Sequence, residues 1–238
     1  VTGRFGAMSE RCETAAGDRD LMSSRSPVTV AHGLLSRWSA ELGYVAAAIT
    51  YRRSGDQGQR VLANGGYAVP VAQYLAREFV DDTRIFDHIR VASGRPVCWE
   101  DVPDFELTSA VEDVLRPSGF REGSSVALGL ERGQVTSVLH VSFTRSQVDS
   151  TVRAGIEALA RQCRRIVADQ SERESFRLSG REHQILALVA QGASNAEIAA
   201  ELLISRRTVA THLENIFAKT GTRSRVRVAV RATELGIL

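Results

Sequence analysis

The stretch Leu178-Ser179-Gly180-Arg181-Glu182, then Gly192-Ala193-Ser194-Asn195-Ala196-Glu197-Ile198-Ala199, then Ile204-Ser205-Arg206-Arg207-Thr208-Val209, divides the end of this chain into helices. Ser179 and Ser194 each stand three residues before a glutamate, Glu182 and Glu197. This is the reciprocal capping box, in which hydroxyl and carboxylate each take a backbone N–H left free at a helix start. Ile185, Leu186, Leu188 and Val189 follow the first box, and Gly192 ends that helix; Ile198, Ala199 and Leu202 follow the second. Ser205 caps a third helix reaching Lys219, which Gly221 terminates, and a fourth runs from about Ser224 to Leu235. In the third, Val209, Leu213, Ile216 and Phe217 recur at helical spacing and face a core, leaving Arg206, Arg207, Ala210, Thr211 and Glu214 outward.

Two short helices joined by a tight turn, the second basic at its start, have the geometry of a helix-turn-helix that enters a major groove. The charge distribution points to the same partner. Between Ser205 and Arg231 lie Arg206, Arg207, Lys219, Arg223, Arg225, Arg227 and Arg231 against the single acid Glu214, so this stretch carries +6 and the rest of the chain −4 of the net +2. Cations concentrated on one small region are the footprint of a polyanion partner, through counterion release; a solvated surface is the alternative that charge alone leaves open.

A chain of 238 residues is long enough for one or two domains, and 43% apolar with 24% charged residues is the composition of a folded chain with a real core. No apolar run approaches the ~18 residues of a membrane span, and the start lacks a secretory apolar stretch, so a cytoplasmic location is expected. Val1 is not methionine, and the sequence does not decide between it, Met8 and Met22 as the start. Cys12, Cys98 and Cys163 have neither disulfide-framework nor zinc spacing, and no metal or cofactor is expected. Lys219 is the only lysine, which excludes a P-loop and disfavours an ATPase or a phosphoacceptor receiver domain. The five histidines show no metal-ligand spacing and GxSxG and HExxH are absent, so no enzyme is expected.

Outward from the C-terminal helices, residues 168–177 have no apolar side chain between Ala168 and Phe176 and are read as a linker, and residues 1–26 as a flexible extension. Residues 27–167 form the other domain. Val30, Leu34, Leu35, Trp38 and Leu42 mark a helix stopped by Gly43; Tyr44 to Tyr51 reads as a strand, with Gly55 and Gly58 in the turn to a second at Arg60 to Ala63. A helix is predicted from Pro70 to Val80 and an apolar-periodic segment over 108–115. Ser124–Leu130 and Val135–Phe143 form a hairpin about Glu131-Arg132-Gly133-Gln134. Ser146-x-x-Asp149 then caps a long helix with Val148, Val152, Ile156, Leu159, Cys163 and Ile166 or Val167 on one face, packed on its own sheet alone or also paired with its copy. The class is α+β: an α/β/α sandwich with a mainly antiparallel sheet, then an all-α four-helix helix-turn-helix domain over 178–238.

The quoted residues, with His212, Asn215-Ile216, Lys219 and Arg223-Ser224-Arg225, resemble the LuxR-type four-helix module over about 60 residues. The resemblance implies a regulator that binds double-stranded DNA as a homodimer, with the Ser205–Lys219 helix as reader and the fourth helix as dimerisation surface. It offers Ser205, Arg206, Arg207, Thr208, Thr211, Glu214, Asn215, Lys219, Arg223 and Arg225 as DNA-contacting residues. Relatives commonly carry a cation where this chain has Ala210, which moves base contact toward Arg206, Arg207, Thr211 and Glu214.

In the first domain, Pro96-Val97-Cys98-Trp99 and Gly119-Phe120-Arg121-Glu122-Gly123-Ser124 resemble the autoinducer-binding domain of quorum-sensing LuxR proteins. That resemblance implies a pocket for a small amphipathic ligand, such as an acyl-homoserine lactone, touched by Tyr74, Asp82, Trp99 and Gly123. An acyl amide suits an apolar pocket with a carboxylate for its N–H and aromatic hydrogen-bond donors for its carbonyls. The chain departs from the pattern in lacking a tryptophan before Tyr74 and in having Asp82-Thr83 for Asp-Pro. A ligand-free interaction or dimerisation module, with Trp99 and Tyr74 as core aromatics, stays open beside it.

Overall fold

The computed structural model describes residues 26–53, 56, 58–81 and 83–238; the expected N-terminal extension up to residue 25, Cys12, Gly55 and Asp82 lie outside them. Contacts divide the described chain into two units, 27–170 and 171–238.

The first unit is an α/β/α sandwich. Helix α1 (Pro27–Leu42) leads into strands β1 (Ala46–Tyr51) and β2 (Arg60–Gly65), helices α2 (Val69–Arg77) and α3 (Thr83–Ala92), the two-residue strand β3 (Val97–Cys98), and the hairpin β4 (Glu122–Glu131) and β5 (Gln134–Phe143). The strands form one sheet in the order β2-β1-β5-β4-β3, every neighbouring pair antiparallel. The hairpin closes on Arg132 and Gly133, both at positive φ (50° and 80°), the primed turn whose twist matches that of the strands it joins.

Strand alternation feeds two cores. Ala47, Ile49, Leu139, Val141 and Phe143 face α1 and the long helix α4 (Ser150–Ser175), which contributes Ile156, Leu159, Cys163 and Ile166. Ala46, Ala48, Ala127 and Val138 face α2, α3 and the segment before β4. This second layer is irregular: between Phe79 and Leu115 it includes three 3₁₀ turns and a π-helical stretch, Ala110–Leu115.

Three details differ from the expectations. The long helix is capped by Asp149, whose Oδ1 accepts the Val152 N–H at 2.8 Å, and starts at Ser150, so Ser146 lies ahead of the cap. The segment expected as a linker, 168–177, is helical to Ser175: a lack of apolar residues does not stop a helix, and its Glu, Gln and Arg residues are good helix formers. Helix α3 had no counterpart among the expected elements.

The second unit packs helices α5 (Gly180–Ala190), α6 (Asn195–Glu201), α7 (Arg206–Thr220) and α8 (Arg225–Glu234) around Ile185, Leu186, Ile198, Val209, Leu213, Ile216 and Val228, joined by Phe176.

Candidate functional site

The helix starts are built as the serines and glutamates dictate. Ser179 Oγ accepts the Glu182 N–H at 3.3 Å while Glu182 Oε2 accepts the Ser179 N–H at 2.6 Å, and Ser194 and Glu197 repeat both distances. Between α6 and α7 the chain turns through Leu203, at φ +52°, with the Ile204 N–H donating to the Ala199 carbonyl at 3.0 Å. Ser205 Oγ accepts the Thr208 N–H at 3.0 Å and lies 2.8 Å from Thr208 Oγ1, so both hydroxyls belong to the cap of α7. Gly221, left-handed at φ +66°, ends that helix.

Val209, Leu213 and Ile216 bury one face of α7. At about 100° per residue, the stripe pointing furthest from that core is Arg207, Thr211, Glu214 and Ala218, all exposed. Arg206 lies to one side of the stripe and Asn215 to the other; both are exposed. The N–H groups of Arg206 and Arg207 precede the first intrahelical bond, Val209 N–H to the Ser205 carbonyl at 3.1 Å, so the helix presents two backbone donors with two guanidinium groups.

The cations fall into two classes. Arg206, Arg207, Arg223 and Arg227 are exposed and have no ion pair among the described residues. Lys219, Arg225 and Arg231 are engaged inside the unit. Lys219 Nζ meets Glu182 Oε2 at 2.6 Å; Arg225 donates to Asn195 Oδ1 at 2.7 Å and to the Ala193 carbonyl, tying α8 to the turn before α6; Arg231 Nε donates to Glu172 Oε1 at 2.5 Å. Of the residues expected at DNA, Lys219 and Arg225 therefore already hold the fold. Arg227 was not among them, although its place in the basic run was visible in the sequence.

In the first unit, Trp99 and Gly123 come together. Trp99 is buried, its backbone N–H donates to Glu122 Oε1 at 2.9 Å, and its ring meets Phe105 edge-on at 5.7 Å. The same carboxylate oxygen accepts the Gly123 N–H at 2.8 Å, and a Cβ on Gly123 would stand 2.7 Å from Trp99 Nε1, so only glycine lets the indole lie on β4. Tyr74 is two rings removed from Trp99: it meets Phe79 edge-on at 6.3 Å, and Phe79 touches Phe105 in turn. Asp82 lies outside the described residues. The space lined by Trp99, Phe79, Phe105, Ile85 and Ser125 is about 20 Å³, room for little more than one water. A wider groove of about 740 Å³ lies on the surface between α3 and α4, lined by Val91, Arg95, Pro96, Arg153 and Glu157.

Sequence reasoning missed a polar cluster under this layer. His140, 2% exposed, meets Ser125 Oγ at 2.9 Å through Nδ1 and Thr50 Oγ1 at 3.5 Å through Nε2, and Thr50 Oγ1 donates to Gln59 Oε1 at 2.6 Å. Burial pushes the imidazole down to about 3, so it is neutral. The available signal was parity: His140 stands two residues from Val138 on β5 and so shares its inward face.

Residues 177–232 match the family described as bacterial regulatory proteins, luxR family. The uncharacterized transcriptional regulatory protein YhcZ of Bacillus subtilis is 38% identical over 69 residues, 29% of this chain and 32% of that protein. The HTH-type transcriptional activator RamA of Corynebacterium glutamicum is 30% identical over 142 residues, 56% of this chain and 49% of that protein. The chain thus spans about a third to a half of the length of these relatives. Among solved structures, SdiA in complex with octanoyl-rac-glycerol is similar at a TM-score of 0.49 and 20% identity, covering 99% of this chain and 98% of that one.

Proposed function

We propose, from a C-terminal domain that belongs to the luxR family of bacterial regulatory proteins, that this chain is a DNA-binding transcriptional regulator acting as a homodimer. The observation that carries the reading is the outward face of α7, where Arg206, Arg207 and two uncapped N–H groups stand with no ion pair to either guanidinium among the described residues. Dimerisation is supported by Val226 and Val230, one turn apart on α8 and 70% and 52% exposed, an apolar pair that a second copy would cover. Footprinting on a duplex selected from a random pool is expected to protect two half-sites about one helical turn apart. Saturation at one chain per site would defeat the dimer, and failure to enrich any duplex would defeat the regulator.

The first unit is read as the control domain, receiving a small amphipathic molecule between the sheet and the layer of α2, α3 and the short turns after them. Two features support this. The covering layer is broken into short turns that open at little cooperative cost, and the polar cluster around His140 sits beneath it within an apolar shell. The 20 Å³ of free space favours the second reading, a ligand-free interaction module, since ordinary ligand pockets are about 300–1,000 Å³. Thermal melts of the full chain with a panel of acyl amides and lactones separate the two: a melting point that rises with concentration of one compound supports the ligand reading, and no shift across the panel supports the module.

A further inference from the structure

We infer that Glu214 is a specificity-determining residue, accepting a hydrogen bond from the N4 amino group of a cytosine in the major groove; this rests on α7 being the reading helix, as proposed above. A carboxylate on the face of a helix that approaches DNA is electrostatically costly, because it meets phosphate charge with charge of the same sign. Glu214 is also not neutralised by any of the described residues. It is exposed, it makes no ion pair among the described residues, and the positions three and four away on its own helix are Ala210, Thr211, Phe217 and Ala218, none of them a cation.

Its position rules out a bystander's place at the edge. Val209, Leu213 and Ile216 define the buried face, and Glu214 belongs to the opposite stripe, with Arg207 and Thr211 before it and Ala218 after it. Ala210 and Ala218, one turn either side, are the smallest side chains the helix carries, so the helix can approach a base edge closely at Glu214.

The chemistry of the base edges then selects the partner. In the major groove guanine presents two acceptors, adenine an acceptor beside its amino donor, and thymine an acceptor and a methyl group. Cytosine alone presents a donor with no acceptor of its own beside it. A carboxylate, which only accepts, finds no donor on guanine or thymine, meets the N7 acceptor beside the amino group of adenine, and is held without opposition by the amino group of cytosine. The acid thus turns its cost against phosphate into discrimination against three bases.

The test uses the full chain and a randomised duplex pool. The parent is expected to enrich a half-site with cytosine at one position; Glu214→Ala loses the preference there and nowhere else, and Glu214→Gln shifts it toward adenine, which an amide pairs with through N6 and N7. In the parent's selected duplex, replacing that cytosine by 2-pyrimidinone, which lacks the amino group, should weaken the parent by about 5- to 150-fold and leave Glu214→Ala within about twofold of its own affinity. The base replacement leaves the protein untouched, so it answers even if a variant folds poorly. Glu214→Ala binding every duplex more tightly with the motif unchanged would overturn the inference alone, as would an equal loss on 2-pyrimidinone for both proteins. A parent that enriches no duplex overturns the regulator reading and this inference together.

Discussion

Lys219 Nζ lies 2.6 Å from Glu182 Oε2, so the only lysine of the chain is bonded to the carboxylate that also closes the capping box of α5. Glu182 is nearly inaccessible, whereas Lys219 keeps much of its surface, and together they pin the C-terminal end of α7 to the start of α5. Burial alone would raise the Glu182 carboxyl; the Lys219 ammonium and the Ser179 N–H reverse that and hold it below the usual carboxylate range. A carboxyl depressed in the folded state contributes stability above its unfolded value, near 4.3, and loses it as the pH falls through the lower folded one. Lys219→Met is expected to cost about 1–3 kcal/mol of stability of the C-terminal unit and to leave the salt slope of DNA binding unchanged. Glu182→Gln should flatten the loss of stability below about pH 4.3. A salt slope about one unit shallower in Lys219→Met would show instead a phosphate contact.

Arg206 and Arg207 are neighbours in sequence with different outlooks, because successive helix residues point about 100° apart. Arg207 is on the stripe opposite the core and Arg206 beside it. Arg207→Ala is therefore expected to cost about 1–3 kcal/mol and to relax preference at one base pair. Arg206→Ala should weaken all duplexes alike and shrink the salt slope by about one unit. Affinities for selected and scrambled duplexes at several salt concentrations check both; two variants that bind like the parent would remove this face from DNA.

Gly123 must stay small for Trp99 to stay in place, since a Cβ there would stand 2.7 Å from Nε1. Gly123→Ala forces the indole off β4 and loosens the layer that Phe105 and Phe79 share with it, at an expected cost of about 1–3 kcal/mol. A lower melting point with red-shifted tryptophan emission is the expected readout. A variant with the parent's melting point and emission would show that the indole shifts freely.

What the sequence disclosed and what it hid follow from the range of the signals involved. Capping boxes are local: Ser179 with Glu182 and Ser194 with Glu197 bond within four residues, so the helix-turn-helix was legible end to end. The hairpin after Ser124 was legible for the same reason, from Arg132-Gly133 between two alternating runs. Helix α3 left a signal that the expected elements did not use: Ile85, Phe86, Ile89 and Ala92 recur at helical spacing and pack on one core, with Arg84, Asp87, His88 and Arg90 between them. The two roles of the basic residues were hidden. Lys219 and Arg225 find Glu182 and Asn195 at 37 and 30 residues' distance, a pairing that no spacing rule encodes.

His140 makes the first unit acid-sensitive from within. Its imidazole is held down to about 3 by burial, against about 6.5 in an unfolded chain. Below pH 6.5 the unfolded state binds a proton that the folded state refuses, so stability is fully present above about 6.5 and falls as the pH drops toward 3. The expected loss is roughly 2 kcal/mol between pH 6.5 and 5. Both tryptophans, Trp38 and Trp99, belong to residues 27–170, so urea unfolding followed by tryptophan emission reports this unit. His140→Asn, which keeps a partner for Ser125 Oγ, should lower stability at pH 7 and remove most of the slope between pH 6.5 and 5. Parallel pH curves for the two proteins would mean that the folded imidazole takes up its proton as readily as a free one, which requires water to reach the Thr50–His140–Ser125 cluster through the covering layer.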